Sequence, residues 1–166
     1  MVGFVVLLVA HAALGQAAAG DGFASREAIV AEFVAALEAN DRDRLLGLLI
    51  DRDRYRDVIV PGSVEPGQPR RDWPEKTRQF FTDTFFEKSG HYADVLLKDW
   101  GGRKLTVKAV RYTRAPKTYA AYTAYGELRI DVDSVPAVDH EPVIRTGFLA
   151  EVDGRFRFLG FLHDDD

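Results

Sequence analysis

Few residues of this chain combine the types and spacing that chemistry needs. His91 and Asp94 stand three apart. On a helix they would share a face and could work as an acid–base couple, whereas on a strand they would point to opposite sides. Tyr112, Tyr119, Tyr122 and Tyr125 form a local tyrosine cluster. Tyr122 is the member placed to offer a phenol to a ligand, although tyrosines are also good strand formers with a hydrogen-bonded tip. His140 lies between Asp139 and Glu141, and His163 precedes Asp164, Asp165 and Asp166. Both sets hold metal-ligating residue types, but a loop and a charged tail explain them more simply, and no metal site is expected.

Other chemistries lack their residues. There is no HExxH pair, no glycine-rich phosphate loop and no GxSxG elbow. Cysteine is absent, which excludes disulfides, thiol catalysis, cysteine-held metal and a lipidated cysteine anchor. No cofactor is implied. The net charge of −4 argues against a nucleic-acid partner. The arginines at 42, 44, 52, 54 and 56 interleave with aspartates at 41, 43, 51, 53 and 57, a pattern of a solvated face rather than a phosphate stripe.

The elements that would position these residues can be read from periodicity. The chain has 166 residues, 46% of them hydrophobic, which suits one domain with a real core. Its first 20 residues carry no Lys, Arg, Asp or Glu. An apolar run from Val2 to Leu14 followed by small residues reads as a signal peptide over residues 1–19, cleaved near Ala17 or Ala19, although no basic residue precedes the run. The rival reading is an uncleaved anchor; His11 and Gln16 interrupt a stretch that barely reaches the length of a span. Residues 20–166 then form a single exported domain, periplasmic or secreted, with no membrane contact after cleavage.

Ser25 caps a helix in which Ile29, Phe33, Ala36 and Leu37 recur at helical spacing, and Asn40 stops it. Asp41 caps a shorter second helix through Leu45 and Leu49. DVIVPG reads as a short strand, and the Pro/Gly-rich stretch after it as a loop. Asp72 and Glu75 make a capping-box pattern around Pro74, opening a third helix that Gly90 ends. ADVLLKDW fits a strand or a final helix. KLTVKAVRYT is a strand, and alternation from Thr118 to Asp133 predicts a long antiparallel one. In the alternation Glu127, Asp131 and Asp133 point outward, which leaves Asp94 as the best candidate for a pocket acid; an exposed helix end accounts for it more simply. RTGFLAEVDGRFRFLGF closes the chain as a hairpin turning at Asp153-Gly154. Its apolar residues fall on both faces, so something must cover both.

In FVAALEANDRDRLLGLL, in Trp73-Pro74 and in RTGFLAEVDGRFRFLGF the chain resembles the NTF2-like superfamily, over most of its length after about residue 25. That resemblance implies an α+β cone, with N-terminal helices packed on a curved antiparallel sheet. It also implies a pocket between them and dimerisation through the outer face of the sheet. Tyr55, Trp73, Phe81, Tyr122 and Arg145 are the expected pocket lining, with the loop from Pro61 to Arg71 near its mouth. Three functions follow as expectations. The first is non-catalytic binding of a small apolar ligand or a protein partner by a homodimer. The second is a cofactor-independent lyase or isomerase using Asp94 or His91, with Tyr122. The third is a structural role in the cell envelope.

Overall fold

The computed structural model describes residues 22–139 and 141–162. The leader, His140 and the His163-to-Asp166 tail lie outside them. The architecture is mixed α+β: helices first, then antiparallel strands, with no helix among the described residues long and apolar enough to cross a membrane.

Helix α1 (Arg26–Glu38) begins where the sequence places it, with the Ser25 hydroxyl accepting from the Ala28 N–H. Asn40 ends it in a left-handed conformation, a backbone state asparagine tolerates. Asp41 then caps α2 (Arg42–Leu46). The buried stripe of α1, Ile29, Phe33, Ala36 and Leu37, lies at the centre of the main core. There Phe33 meets Phe158 and Phe161 at ring-centre distances of 5.1 and 6.0 Å. Burying each such ring stabilises by about 1.5–3 kcal/mol.

DVIVPG does not form a strand. Asp51 caps a helical stretch instead: α3 (Arg52–Arg54), a π-helical turn (Tyr55–Ile59) and α4 (Val60–Gly62). Helical spacing puts Tyr55 and Ile59 on one side, where they join a second small core with Ile50, Ala150 and Val152. A short apolar run carries no period, and the cap upstream decides it.

The third predicted helix is α5 (Glu75–Trp100), and two expectations about it are corrected. The capping box does not form, because Pro74 itself occupies the position before the helix, leaving Asp72 too far upstream to cap. Gly90 does not end it, and ADVLLKDW is its last part. Ser89 and Ala93 are buried on either side of Gly90, where the backbone at Gly160 passes Ser89. Packing keeps the glycine helical here at a cost of about 1 kcal/mol in propensity.

The strands form two ladders. One has the order β1-β4-β5, from β1 (Lys104–Tyr112), β4 (Leu128–Val135) and β5 (Val143–Thr146). The other has the order β2-β3-β6-β7, from β2 (Lys117–Thr118), β3 (Thr123–Tyr125), β6 (Leu149–Val152) and β7 (Arg155–Phe158). The single long strand from Thr118 is therefore replaced by three pieces. Yet the register runs through: Tyr125 pairs with Leu149 before the break and Leu128 with Thr146 after it. Gly126-Glu127 and Gly147-Phe148 stand opposite each other without pairing, so a continuous hairpin bends there from one ladder into the next. Both glycines are required by crowding. A Cβ on Gly126 would lie 2.8 Å from the Phe148 ring, and one on Gly147 would lie 2.5 Å from the Gly160 carbonyl oxygen.

The closing hairpin forms as read. Asp153 and Gly154 have φ of 52° and 72°, as a tight primed turn needs. Its two-faced apolarity is also real. Leu149, Phe156 and Phe158 face the main core, while Ala150 and Val152 face the second core, covered by residues 50–62 of the same chain. This side of β6 is thus covered by the helical stretch that includes DVIVPG, expected as a strand. The outer edge of β7 is occupied too. Phe23 and Phe156 exchange backbone hydrogen bonds of 3.0 and 2.9 Å, the Phe158 N–H donates to the Leu48 carbonyl, and the Ile50 N–H donates to the Phe158 carbonyl.

On β1-β4-β5, Leu128, Ile130 and Ile144 face the core, whereas the outward side carries Arg111, Arg129, Asp131, Asp133 and Arg145.

Candidate functional site

The predicted site residues fall in separate places. Asp94 is on the surface of α5, where it receives a bidentate pair from Arg42 at 2.6 and 3.3 Å. That hydrogen bond, the charge of Arg42 and the nearby His91 hold its carboxyl below the usual carboxylate range. A base of this kind needs the opposite shift. His91 is exposed one turn before it, edge-on to Tyr92 at 5.4 Å. The interleaved arginines and aspartates likewise pair across elements: Arg44 with Glu32, Arg52 with Asp83, Arg54 with Asp153, and Asp57 with both Arg56 and Arg78. These are exposed or half-exposed pairs, screened by solvent, and each contributes little to stability.

The tyrosine cluster divides into two pairs. Tyr112 and Tyr125 sit 6.3 Å apart under the Arg26 guanidinium, and the Tyr125 hydroxyl donates to Glu151 at 2.5 Å. Tyr119 and Tyr122 stack at 4.7 Å. The Ser63 hydroxyl donates to the Ile59 carbonyl at 2.7 Å, so the 2.9 Å contact between Ser63 and Tyr122 has the tyrosine as donor. Tyr122 therefore spends its proton holding the loop after α4 against the sheet. Burial raises its pKa, and the nearby Tyr119 adds to the rise. Tyr55 belongs to the same second core, stacked on Phe85 at 4.0 Å, and burial followed by the proximity of Tyr122 pushes it up to about 12. Two expected lining residues, Tyr55 and Tyr122, are thus brought into one core.

Trp73 and Phe81 meet each other at the start of α5, edge to face at 6.0 Å. Phe80 lies 6.0 Å from Phe81, and the Arg71 guanidinium covers Trp73. Phe80 is 65% exposed and Phe81 40% exposed. A shallow open depression beside them is lined by Glu75, Lys76, Gln79, Phe80 and Asp83. Arg145 is elsewhere, outward on β5 and bonded to Glu141 at 2.8 Å.

Sequence reading missed one acid. Glu127, placed outward by strict alternation, is 6% exposed, because the bend at Gly126 breaks the alternation and turns it in. Arg114 pairs with one of its oxygens at 3.0 Å and the Thr113 hydroxyl donates to the other at 3.2 Å. Arg114 also lies over the Phe148 ring, which packs on Gly126, so one arginine ties both sides of the bend together. The glycine within an alternating run was the available signal. Among the described residues no group of three or more His, Asp or Glu could hold a metal ion.

The fold and these arrangements define a mixed α+β domain with an exposed aromatic patch. No known protein family, curated protein or solved structure matches the chain.

Proposed function

We propose that the chain is an exported, non-catalytic binding domain of NTF2-like cone design that works as a homodimer through the start of α5. The observation that carries this reading is the exposed aromatic pair Phe80 and Phe81, with half-buried Trp73 packed beside it. Large aromatics capped by arginine are the residue types that dominate protein interfaces. The occupant is a second copy, because the rim is self-complementary. Lys76 lies four residues before Phe80 and Asp83 three residues after it. An antiparallel second α5, related by a two-fold axis through Phe80, brings each Lys76 to the other Asp83. Asp83 accepts from Arg52 and Gln79 through Oδ1, leaving Oδ2 for that lysine. The dimer surface expected from the resemblance, the sheet, is charged on one ladder and covered by residues 50–62 on the other. The apolar, uncharged opening of the chain supports export, and helices on a bent antiparallel sheet support the cone.

Native mass spectrometry and sedimentation on the purified protein test this. The expected result is a dimer that Phe80→Asp converts to monomer with its thermal transition retained. Lys76→Glu should weaken the dimer, and adding Asp83→Lys should restore it. A monomer at tens of micromolar, or a dimer indifferent to Phe80→Asp, refutes the reading.

One observation favours a second reading. Glu127 is a buried acid, and a cofactor-independent lyase or isomerase on this scaffold would be carried by it rather than by Asp94. An activity abolished by Glu127→Gln in a folded protein would establish that alternative.

A further inference from the structure

The outward face of β1-β4-β5 holds three arginines in a single row. Arg111 on β1 is directly opposite Arg129 on β4, and Arg129 is directly opposite Arg145 on β5. Strands lie about 4.8 Å apart, so three guanidinium groups rise side by side from one strip of sheet. Like charges directly opposite one another destabilise a ladder. The two outer arginines are compensated: Arg111 bonds to Asp131 at 2.5 Å and Arg145 to Glu141 at 2.8 Å. The central one is not. Arg129 is half-buried, and its side chain has neither an ion pair nor a hydrogen bond among the described residues. The neighbouring charges are otherwise Lys108 and Asp133, which pair with each other at 2.5 Å.

We propose that this row is a binding site for a phosphoryl group, centred on Arg129 and flanked by the remaining donors of Arg111 and Arg145. Guanidinium is planar, permanently charged and carries five N–H donors in a fork that matches phosphate oxygens. Arg111 and Arg145 each give one nitrogen to a carboxylate in the contacts above, which leaves donors on both. A tetrahedral dianion can take bonds from three converging forks at once, where a carboxylate can fill only one. Its charge also offsets the repulsion among the three arginines. The partner is a phosphate monoester or inorganic phosphate, or the same group on an anionic lipid surface. It is not a polynucleotide track, because Asp131, Asp133 and Glu141 interrupt the positive strip on every side.

The test titrates the full chain with inorganic phosphate at constant ionic strength, replacing chloride, and follows both heat and thermal midpoint. The expected result is saturable binding with a rise in midpoint. Acetate should bind at least tenfold more weakly. Arg129→Gln should weaken phosphate binding at least tenfold while matching or exceeding the wild-type midpoint in chloride, since it removes a like-charge contact. Co-sedimentation with phosphatidylcholine vesicles, with and without phosphatidic acid, separates the sources. Binding to the acidic vesicles that needs Arg129, without binding of free phosphate, assigns the group to a lipid surface. The site is overturned if neither phosphate nor phosphatidic acid binds, if acetate binds as well as phosphate, or if Arg129→Gln leaves binding unchanged.

Discussion

The Tyr122 hydroxyl donates to Ser63 across 2.9 Å, and the Ser63 hydroxyl donates in turn to the Ile59 carbonyl. This relay joins the sheet to the end of the π-helical turn. Removing the two ends has unequal effects. Tyr122→Phe deletes one half-buried hydrogen bond and should cost about 1 kcal/mol. Ser63→Ala leaves both the phenol and the Ile59 carbonyl without their partner and should cost more, about 1–3 kcal/mol. Urea unfolding of the two variants checks the order, and a larger loss for Tyr122→Phe would contradict it.

Tyr55 predicts a loss of stability in alkali. Burial pushes its phenol up from 10.0 to about 12. A phenol is an acid, so a raised value means the folded state keeps a proton that the unfolded state has lost. Stability is unaffected below pH 10 and falls as pH rises from about 10 to 12, by an amount on the order of 1–2 kcal/mol from this residue. Tyr112, also raised to about 12 by burial, adds a smaller decline, reduced by its partial solvent contact. Tyr55→Phe should flatten part of the alkaline fall in denaturant midpoint, and an unchanged slope would remove Tyr55 as its source.

Asp94 behaves in the opposite sense. Its carboxyl is held below the usual value of 3.8 by the Arg42 hydrogen bond and charge. Any stability it contributes is present above that value and lost as pH falls through the depressed one. Carboxyl NMR titration should show Asp94 titrating lower in the wild type than in Arg42→Gln, with the fold unchanged by the substitution.

The bend in the sheet predicts a steep glycine effect. On Gly147 a methyl would meet the carbonyl oxygens of Gly160 and Leu162 at 2.5 and 2.6 Å, both on backbone that cannot rotate away. Gly147→Ala should cost about 1–3 kcal/mol or more. Gly67 lies in open space with φ of 82°, so Gly67→Ala meets backbone strain alone and should cost about 1–2 kcal/mol. Thermal melts of the pair rank them.

Much of the fold was legible because local chemistry and final packing agree. Ser25, Asp41 and Asn40 bound α1 and α2, and Asp153-Gly154 sets the closing turn, through interactions only a few residues long. What could not be read depends on distant partners. The segment 52–62 is helical because Tyr55 and Ile59 pack on β6, nearly a hundred residues later. Gly90 stays helical because Ser89, Ala93, Leu96 and Trp100 on either side of it are buried along one continuous helix. Glu127 was assigned outward because alternation holds only along an unbent strand. At the site, residue type marked Tyr55 and Tyr122 as pocket lining; it could not say that both pack into one core with the Tyr122 proton already engaged. The arginine row was invisible, since its members are sixteen or more residues apart and acquire meaning only from the register.

The occupied edge of β7 bears on how the protein behaves in a crowded solution. An outermost strand with free amides and carbonyls recruits strands from other molecules and seeds aggregates. Here the segments around Phe23 and Leu48–Ile50 take those groups before another molecule can. The residues ahead of α1 and after α2 therefore act as a guard against misassembly. A nick that frees Phe23 would leave the catalogue of core contacts almost intact, yet would turn a dispersed protein into one with a templating edge.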